Sequence, residues 1–211
     1  IFLTGRYAGK MAGTIGDFGA YSFNGNKIIT TGGGGALTAW DPEKLVHIKY
    51  ISTQAKDDEL FYIHNEVGCN YRMTNLQAAI GVAQMEELPE FIRRKEANYR
   101  YYCDGLADCP KGSLLAFREN TRPNYWFYSF VVNREVLTAP LGDIIGKLQE
   151  ESIQTRPFWG LIHEQKPYGD CVAYEIEWAK YYSQRVVNLP CSTQLTREEQ
   201  ERVITNIKNN L

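Results

Sequence analysis

No apolar run in this chain approaches the roughly 20 residues that a helix needs to span a bilayer, so no membrane-spanning helix is expected. An excess of one charge is also lacking: 23 Lys and Arg against 25 Asp and Glu leave a formal net charge of −2. Without a basic stripe, nucleic acid is not an expected partner. The five cysteines (Cys69, Cys103, Cys109, Cys171 and Cys191) are odd in number and contain no Cys-x-x-Cys pair. The three histidines (His47, His64 and His163) lie far apart. Neither a zinc site nor a disulfide framework is expected, and reduced thiols in a cytoplasmic protein are the better reading. No methionine opens the chain, and no basic segment precedes an apolar one, so a signal peptide is not expected.

What remains is an ordinary globular composition, 44% hydrophobic and 23% charged, with 14 tyrosines. A chain of 211 residues makes one large domain or one and a half small ones, and buries about 70% of its unfolded surface.

The segment Gly19-Ala-Tyr-Ser22-Phe-Asn-Gly-Asn-Lys27-Ile-Ile-Thr-Thr-Gly32-Gly-Gly-Gly35 carries the chemistry. Four glycines in a row fill no core, and they are tolerated where backbone must turn sharply or approach something closely. Ile28 and Ile29 beside Lys27 predict low-dielectric surroundings for the amine, which would favour a nucleophile for a carbonyl carbon. The segment is not a nucleotide P-loop, because Gly19 and Gly25 are one position too far apart and Ile28, not Ser or Thr, follows Lys27. The local pattern leaves two readings, a Schiff-base lysine and a surface turn with an incidental lysine.

Periodicity places the other elements. Phe18–Phe23 and Gly35–Trp40 read as a strand and its return. Asp41-Pro42 opens a helix to about Thr53, followed by a polar loop over 54–66. Thr74 and Gln77 cap a long helix whose stripe of Leu76, Ala79, Ile80, Ala83 and Leu88 reads as core packing. Pro89 should kink or restart that helix, which then continues to about Leu106. Strands are expected over Tyr125–Val132, Ile153–Arg156 and Val186–Leu189. Helices are expected over Pro140–Glu151 and Tyr174–Tyr182, with a last one capped by Thr196 and Glu199 that buries Val203, Ile204 and Ile207. Tyr125, Trp126 and Tyr128 read as sheet packing.

Three stretches in order, Gly16 to Gly35, His64 to Leu88 and Ile153 to Tyr168, resemble the DegT/DnrJ/EryC1/StrS family of pyridoxal-phosphate sugar aminotransferases. The likeness runs over nearly the whole chain. The third stretch resembles the branch that aminates UDP-linked 4-keto-6-deoxy-N-acetylhexosamines. The resemblance implies an α/β chain, the C-terminal part of a fold type I aminotransferase. Residues 1–88 would form a partial cofactor-binding large domain, 89–111 a connecting helix and 112–211 a small α+β domain. Aligned on Lys27, the family aspartate for the pyridine nitrogen would fall just before Ile1, so the chain reads as a C-terminal half.

The resemblance also implies roles. Lys27 would hold the pyridoxal 5'-phosphate and move the proton, and Ser22 would bind its phosphate; the bland alternative for Ser22 is a local backbone bond. Asn70 would reach the cofactor phosphate of a neighbouring subunit, implying a homodimer with shared sites. Arg72 would point the same way or meet nucleotide phosphate, unless it sits in a surface ion pair. Arg156, Trp159 and His163 would close over the nucleotide sugar, with core packing the alternative for Trp159. Family dehydratases carry histidine in place of the lysine, so Lys27 argues against that class. The expected reaction transfers an amino group, from glutamate to give 2-oxoglutarate, onto C4 of a UDP-linked 4-keto sugar for surface glycan synthesis, with no metal. The alternative is a truncated, inactive fragment that binds no cofactor by itself.

Overall fold

The structure, a computed structural model, describes residues 4–211. Its contacts divide the chain into two compact units. One runs up to Ile92 and includes Phe117–Trp126; the other comprises Arg93–Ala116 and Phe127–Leu211.

The first unit opens with a hairpin of β1 (Arg6–Tyr7) and β2 (Lys10–Met11). Next, β3 (Phe18–Ser22) and β4 (Gly35–Ala39) pair antiparallel, from Phe18 opposite Ala39 to Ser22 opposite Gly35. Helix α1 (Pro42–Ser52) begins where its cap dictates, with the Asp41 carboxylate accepting from the Glu43 N–H at 3.0 Å. Helix α2 (Asn75–Gly105) is capped reciprocally: the Gln77 N–H donates to Thr74 Oγ1 at 3.3 Å, and the Thr74 N–H to Gln77 Oε1 at 3.1 Å. The helix passes through Pro89 without a break and contributes its last part to the second unit. After β5 (Gly112–Leu114), β6 (Thr121–Arg122) pairs with β1 and completes a three-stranded sheet.

One expectation fails in this unit. The apolar stripe of α2 is not core: Leu76 is 74% and Ile80 44% exposed, and of the stripe only Leu88 is buried. Helical spacing prescribes an apolar face but does not supply the surface that would cover it. Among the described residues of this unit, little apolar surface is available to do so, and α1 buries no residue at all.

The second unit does have its own core. It contains β7 (Tyr128–Val132), α3 (Leu141–Glu150), β8 (Arg156–Pro157), α4 (Glu177–Ser183), β9 (Val186–Leu189) and α5 (Arg197–Asn210). An antiparallel sheet in the order β5-β7-β9-β8 lies at its centre. Tyr128, Phe130 and Val132 alternate inward along β7, and all four residues of β9 are buried. Ile144 and Leu148 of α3, with Val203, Ile204 and Ile207 of α5, are buried too. Each such side chain contributes about 1.5–3 kcal/mol. The Thr196–Glu199 capping box forms as the spacing predicts.

Polar groups tie α2 into this core. Buried Lys95 donates to the Cys191 carbonyl at 2.5 Å, and the Tyr128 hydroxyl donates to the Lys95 carbonyl at 2.8 Å. Burial pushes the Lys95 ammonium below the usual lysine range, against a smaller upward pull from Cys191. The Gln200 amide donates to the Asn98 carbonyl at 2.9 Å and accepts from Arg197 at 2.6 Å.

Three boundaries differ from the sequence reading, two of them for a visible reason. Tyr125 takes a left-handed backbone (φ 55°), which no strand tolerates, so β7 starts at Tyr128. Glu175 does the same (φ 49°), and α4 starts at Glu177 rather than Tyr174. Ile153 and Thr155 are buried as a strand would bury them, but the ladder itself is confined to Arg156–Pro157. Among the described residues, no helix is long and apolar enough to cross a membrane, and the five cysteines are free.

Candidate active site

Residues 22–35 form a closed loop between β3 and β4, and its hydrogen bonds show why these residue types are there. The Phe23 carbonyl accepts from the Thr30 hydroxyl and the Thr31 N–H, both at 3.0 Å, while the Phe23 N–H donates to the Gly34 carbonyl at 3.0 Å. Thr31 donates its hydroxyl to the Gly33 carbonyl. The glycine run serves the loop itself. Gly32 and Gly34 take φ of 78° and 85°, and a Cβ on Gly35 would lie 2.3 Å from the Tyr21 carbonyl oxygen. The close approach expected of the glycines is therefore, at Gly35, an approach to the neighbouring strand.

Lys27 and Ser22 are brought together by this loop. The Lys27 N–H donates to the Asn24 carbonyl at 3.0 Å, and the Asn24 N–H donates to Ser22 Oγ at 3.4 Å. Both side chains are half-buried. Among the described residues, no carboxylate lies within ion-pair distance of the Lys27 amine. Its Nζ lies 3.8 Å from the centroid of the Trp126 ring. The aromatic surface against the amine is therefore Trp126, while buried Ile29 lines a hollow with Phe23, Thr31 and Met73.

Asn70 and Arg72 share an extended segment hydrogen-bonded along the end of α1. Asn70 bridges Thr53, the Cys69 N–H donates to the Ile51 carbonyl at 2.7 Å, and the Tyr71 N–H to the Ser52 carbonyl at 3.0 Å. Both side chains are exposed. Arg72 lines an open hollow of about 630 Å³ together with Tyr21, Phe23, Gly35, Leu37 and Ile48. It makes no ion pair among the described residues.

In the second unit, Arg156, Trp159 and His163 follow one another along a single stretch. Arg156 stands exposed on β8 opposite Asn188 and donates to the Thr155 carbonyl at 3.1 Å. Trp159 is 55% exposed, so it is not a core residue; its ring meets Phe127 edge-on at 5.2 Å and Phe158 at 5.7 Å. His163 lies in a 3₁₀ turn (Ile162–Glu164) with Nε2 3.7 Å from Glu164 Oε1 and, among the described residues, no hydrogen bond to that nitrogen.

The expectation of sheet packing fails for Tyr125 and Trp126, which precede β7; Trp126 donates its indole N–H to the Asn26 carbonyl at 2.8 Å and offers its ring to Lys27. Its partner, about a hundred residues earlier, leaves no trace in local pattern. Among the described residues, no cluster of His, Cys, Asp and Glu is placed to hold a metal ion.

The model of the DegT/DnrJ/EryC1/StrS aminotransferase family matches residues 3–208. The chain is 33% identical over 202 residues to EpsN of Bacillus subtilis (strain 168), provisionally named a pyridoxal phosphate-dependent aminotransferase, covering 94% of this chain and 51% of EpsN. It is 34% identical over 199 residues to the GDP-perosamine synthase of Caulobacter vibrioides, covering 94% and 53%. The chain thus spans about half the length of the curated relatives it matches. Among solved structures, Helicobacter pylori PseC, an aminotransferase of pseudaminic acid biosynthesis, superposes with a TM-score of 0.88 at 21% identity, covering 97% of this chain and 56% of PseC. The aminotransferase TlmJ of Streptoalloteichus hindustanus gives 0.87 at 23% identity, covering 97% and 54%. At these identities the two structures speak for the fold alone.

Proposed function

Because this chain belongs to the DegT/DnrJ/EryC1/StrS aminotransferase family, we propose that it supplies the lysine-bearing part of a pyridoxal-phosphate enzyme that aminates a nucleotide-linked keto sugar. The observation that carries this reading is the Lys27 amine: half-buried, free of any carboxylate among the described residues, and on one loop with the Ser22 hydroxyl. An amine for an aldehyde and a hydroxyl for a phosphate are the donors this cofactor requires, and the residues present fit it. When bound, the cofactor supplies the electron sink for the carbon that loses its proton.

The chain's own groups do the rest in this reading. Lys27 holds the cofactor and, once freed, carries the proton as general base and acid. Ser22 donates to the phosphate. Asn70 reaches the cofactor phosphate of a partner subunit in a homodimer, which makes the active site shared. Arg72 and Arg156 offer planar forks of donors to phosphate groups, Trp159 an exposed ring, and His163 a ring nitrogen with unused bonding capacity. The proposed substrate is a UDP-linked 4-keto-6-deoxy sugar, on the resemblance of Ile153 to Tyr168, with glutamate as donor, for surface glycan synthesis.

Lys27→Ala should abolish transamination, a loss of at least about a thousandfold as expected for removal of a covalent catalyst, with the fold intact by circular dichroism. Borohydride reduction of the loaded protein should place the cofactor mass on the Lys27 peptide. Turnover at the wild-type rate in Lys27→Ala overturns the assignment. A second reading, in which the 211-residue chain alone binds no cofactor, is favoured by the uncovered apolar face of α2. Absence of the trapped mass in the isolated chain would select it.

A further inference from the structure

Trp126 grips the lysine loop at two points. Its indole N–H holds the Asn26 carbonyl at 2.8 Å, fixing the backbone immediately before Lys27, and its ring lies 3.8 Å from the Lys27 amine. The backbone that delivers the ring is unusual. Tyr125 takes a left-handed conformation (φ 55°), a strained choice for an aromatic residue that persists only where the surroundings enforce it. Those surroundings are visible: buried Asn124 accepts the Trp126 N–H on its Oδ1 at 3.2 Å, and the Tyr125 ring meets Phe117 edge-on at 5.3 Å. This turn immediately precedes Trp126, whose ring and indole N–H both meet the loop.

We propose that Trp126 is the positioning residue of Lys27, holding the free amine beside the reaction site through its ring and the loop through its indole N–H. This rests on the reading of Lys27 as the lysine that holds the cofactor. In that reading the amine is free and charged for part of every turnover. A carboxylate would hold the ammonium by charge-assisted hydrogen bonds and compete with its return to the cofactor. An aromatic face attracts the cation without spending its N–H groups and without adding a negative charge. The amine therefore stays placed yet available.

The test uses the 211-residue chain without cofactor, labelled with ¹³C-lysine. The Lys27 ε-methylene signal, identified by its loss in Lys27→Arg, should lie upfield of the other lysines because of the indole ring current. Trp126→Leu should return it to the common lysine position, and Trp126→Phe should keep much of the displacement. A Lys27 signal in the same place in Trp126→Leu as in wild type overturns the proposal, as does loss of the displacement in a folded Trp126→Phe. On addition of pyridoxal phosphate to the unloaded protein, the rate at which it becomes trappable by borohydride on Lys27 should fall about fivefold in Trp126→Leu and recover largely in Trp126→Phe. An unchanged rate in Trp126→Leu also overturns it. If wild type shows the displaced signal but the isolated chain traps no cofactor at Lys27, the second reading of its function is selected, while the placement of the amine still stands or falls with the Trp126→Leu signal, so the two failures are told apart.

Discussion

The two units use apolar residues in opposite ways. In the second unit, β9 is buried along its whole length, and Phe130, Ile144 and Ile207 are almost fully enclosed. In the first, Leu60, Phe61, Val67, Leu76 and Val82 are each more than three-fifths exposed, and the buried set is small. The loop that carries Lys27 belongs to this first, thinly packed unit. Its order comes from hydrogen bonds such as Thr30 and Thr31 to the Phe23 carbonyl, and from one distant ring, Trp126, more than from a surrounding core. A region built around its own core can define itself, whereas a loop resting on a thin core depends on specific polar and aromatic contacts.

The largest test of this contrast is truncation. Phe130→Ala should cost about 3–5 kcal/mol in urea unfolding, because it removes enclosed surface and leaves a cavity. Leu76→Ala, on the uncovered face of α2, should cost no more than about 0.5 kcal/mol. Comparable losses for the two would break the comparison.

Alkaline titration sharpens it next. Burial, and then the charge of a Cys191 thiolate, push the Tyr102 and Tyr128 phenols far above the ordinary range. An unfolded phenol ionises near pH 10, so above that pH the unfolded chain releases protons that the folded chain keeps. The stability this contributes is intact below about pH 10 and falls above it, by up to about 1.4 kcal/mol per pH unit for each phenol. Lys95, pushed down by burial, works in the opposite sense, and only up to about pH 10.4. Denaturant midpoints measured from pH 8 to 12 should therefore drop past pH 10, and phenolate absorbance from these two rings should appear only with unfolding. A flat profile would show that the second unit's core is open to hydroxide.

The smallest effect separates two neighbouring hydroxyls. Tyr128→Phe removes the hydrogen bond to the Lys95 carbonyl and should cost about 1 kcal/mol. The Tyr102 hydroxyl is buried with no partner among the described residues, so Tyr102→Phe should be neutral or slightly stabilising. Calorimetry on the two variants distinguishes them.

The elements that were legible in the sequence are those whose cause is local. Asp41 and Thr196 cap helices through bonds that reach two or three residues along the chain, and the alternation of Tyr128, Phe130 and Val132 records one inward face. The turns of the loop that carries Lys27 were legible as well, because its run of glycines marks backbone that Gly32 and Gly34 take up at positive φ. The fate of the α2 stripe was not legible, since Leu76 and Leu88 have the same spacing and chemistry, and only the presence or absence of a covering surface separates 74% exposure from 5%.

The sequence by itself determined the helix caps at Asp41 and Thr196, the inward alternation along β7 and the family to which the chain belongs, because all three are written in residue types at short spacing. Only the tertiary structure decided what stands against the Lys27 amine. That contact joins residues about a hundred positions apart through a strained Tyr125 and a buried Asn124. Its energy depends on where a ring is held in space, and no local pattern carries that information.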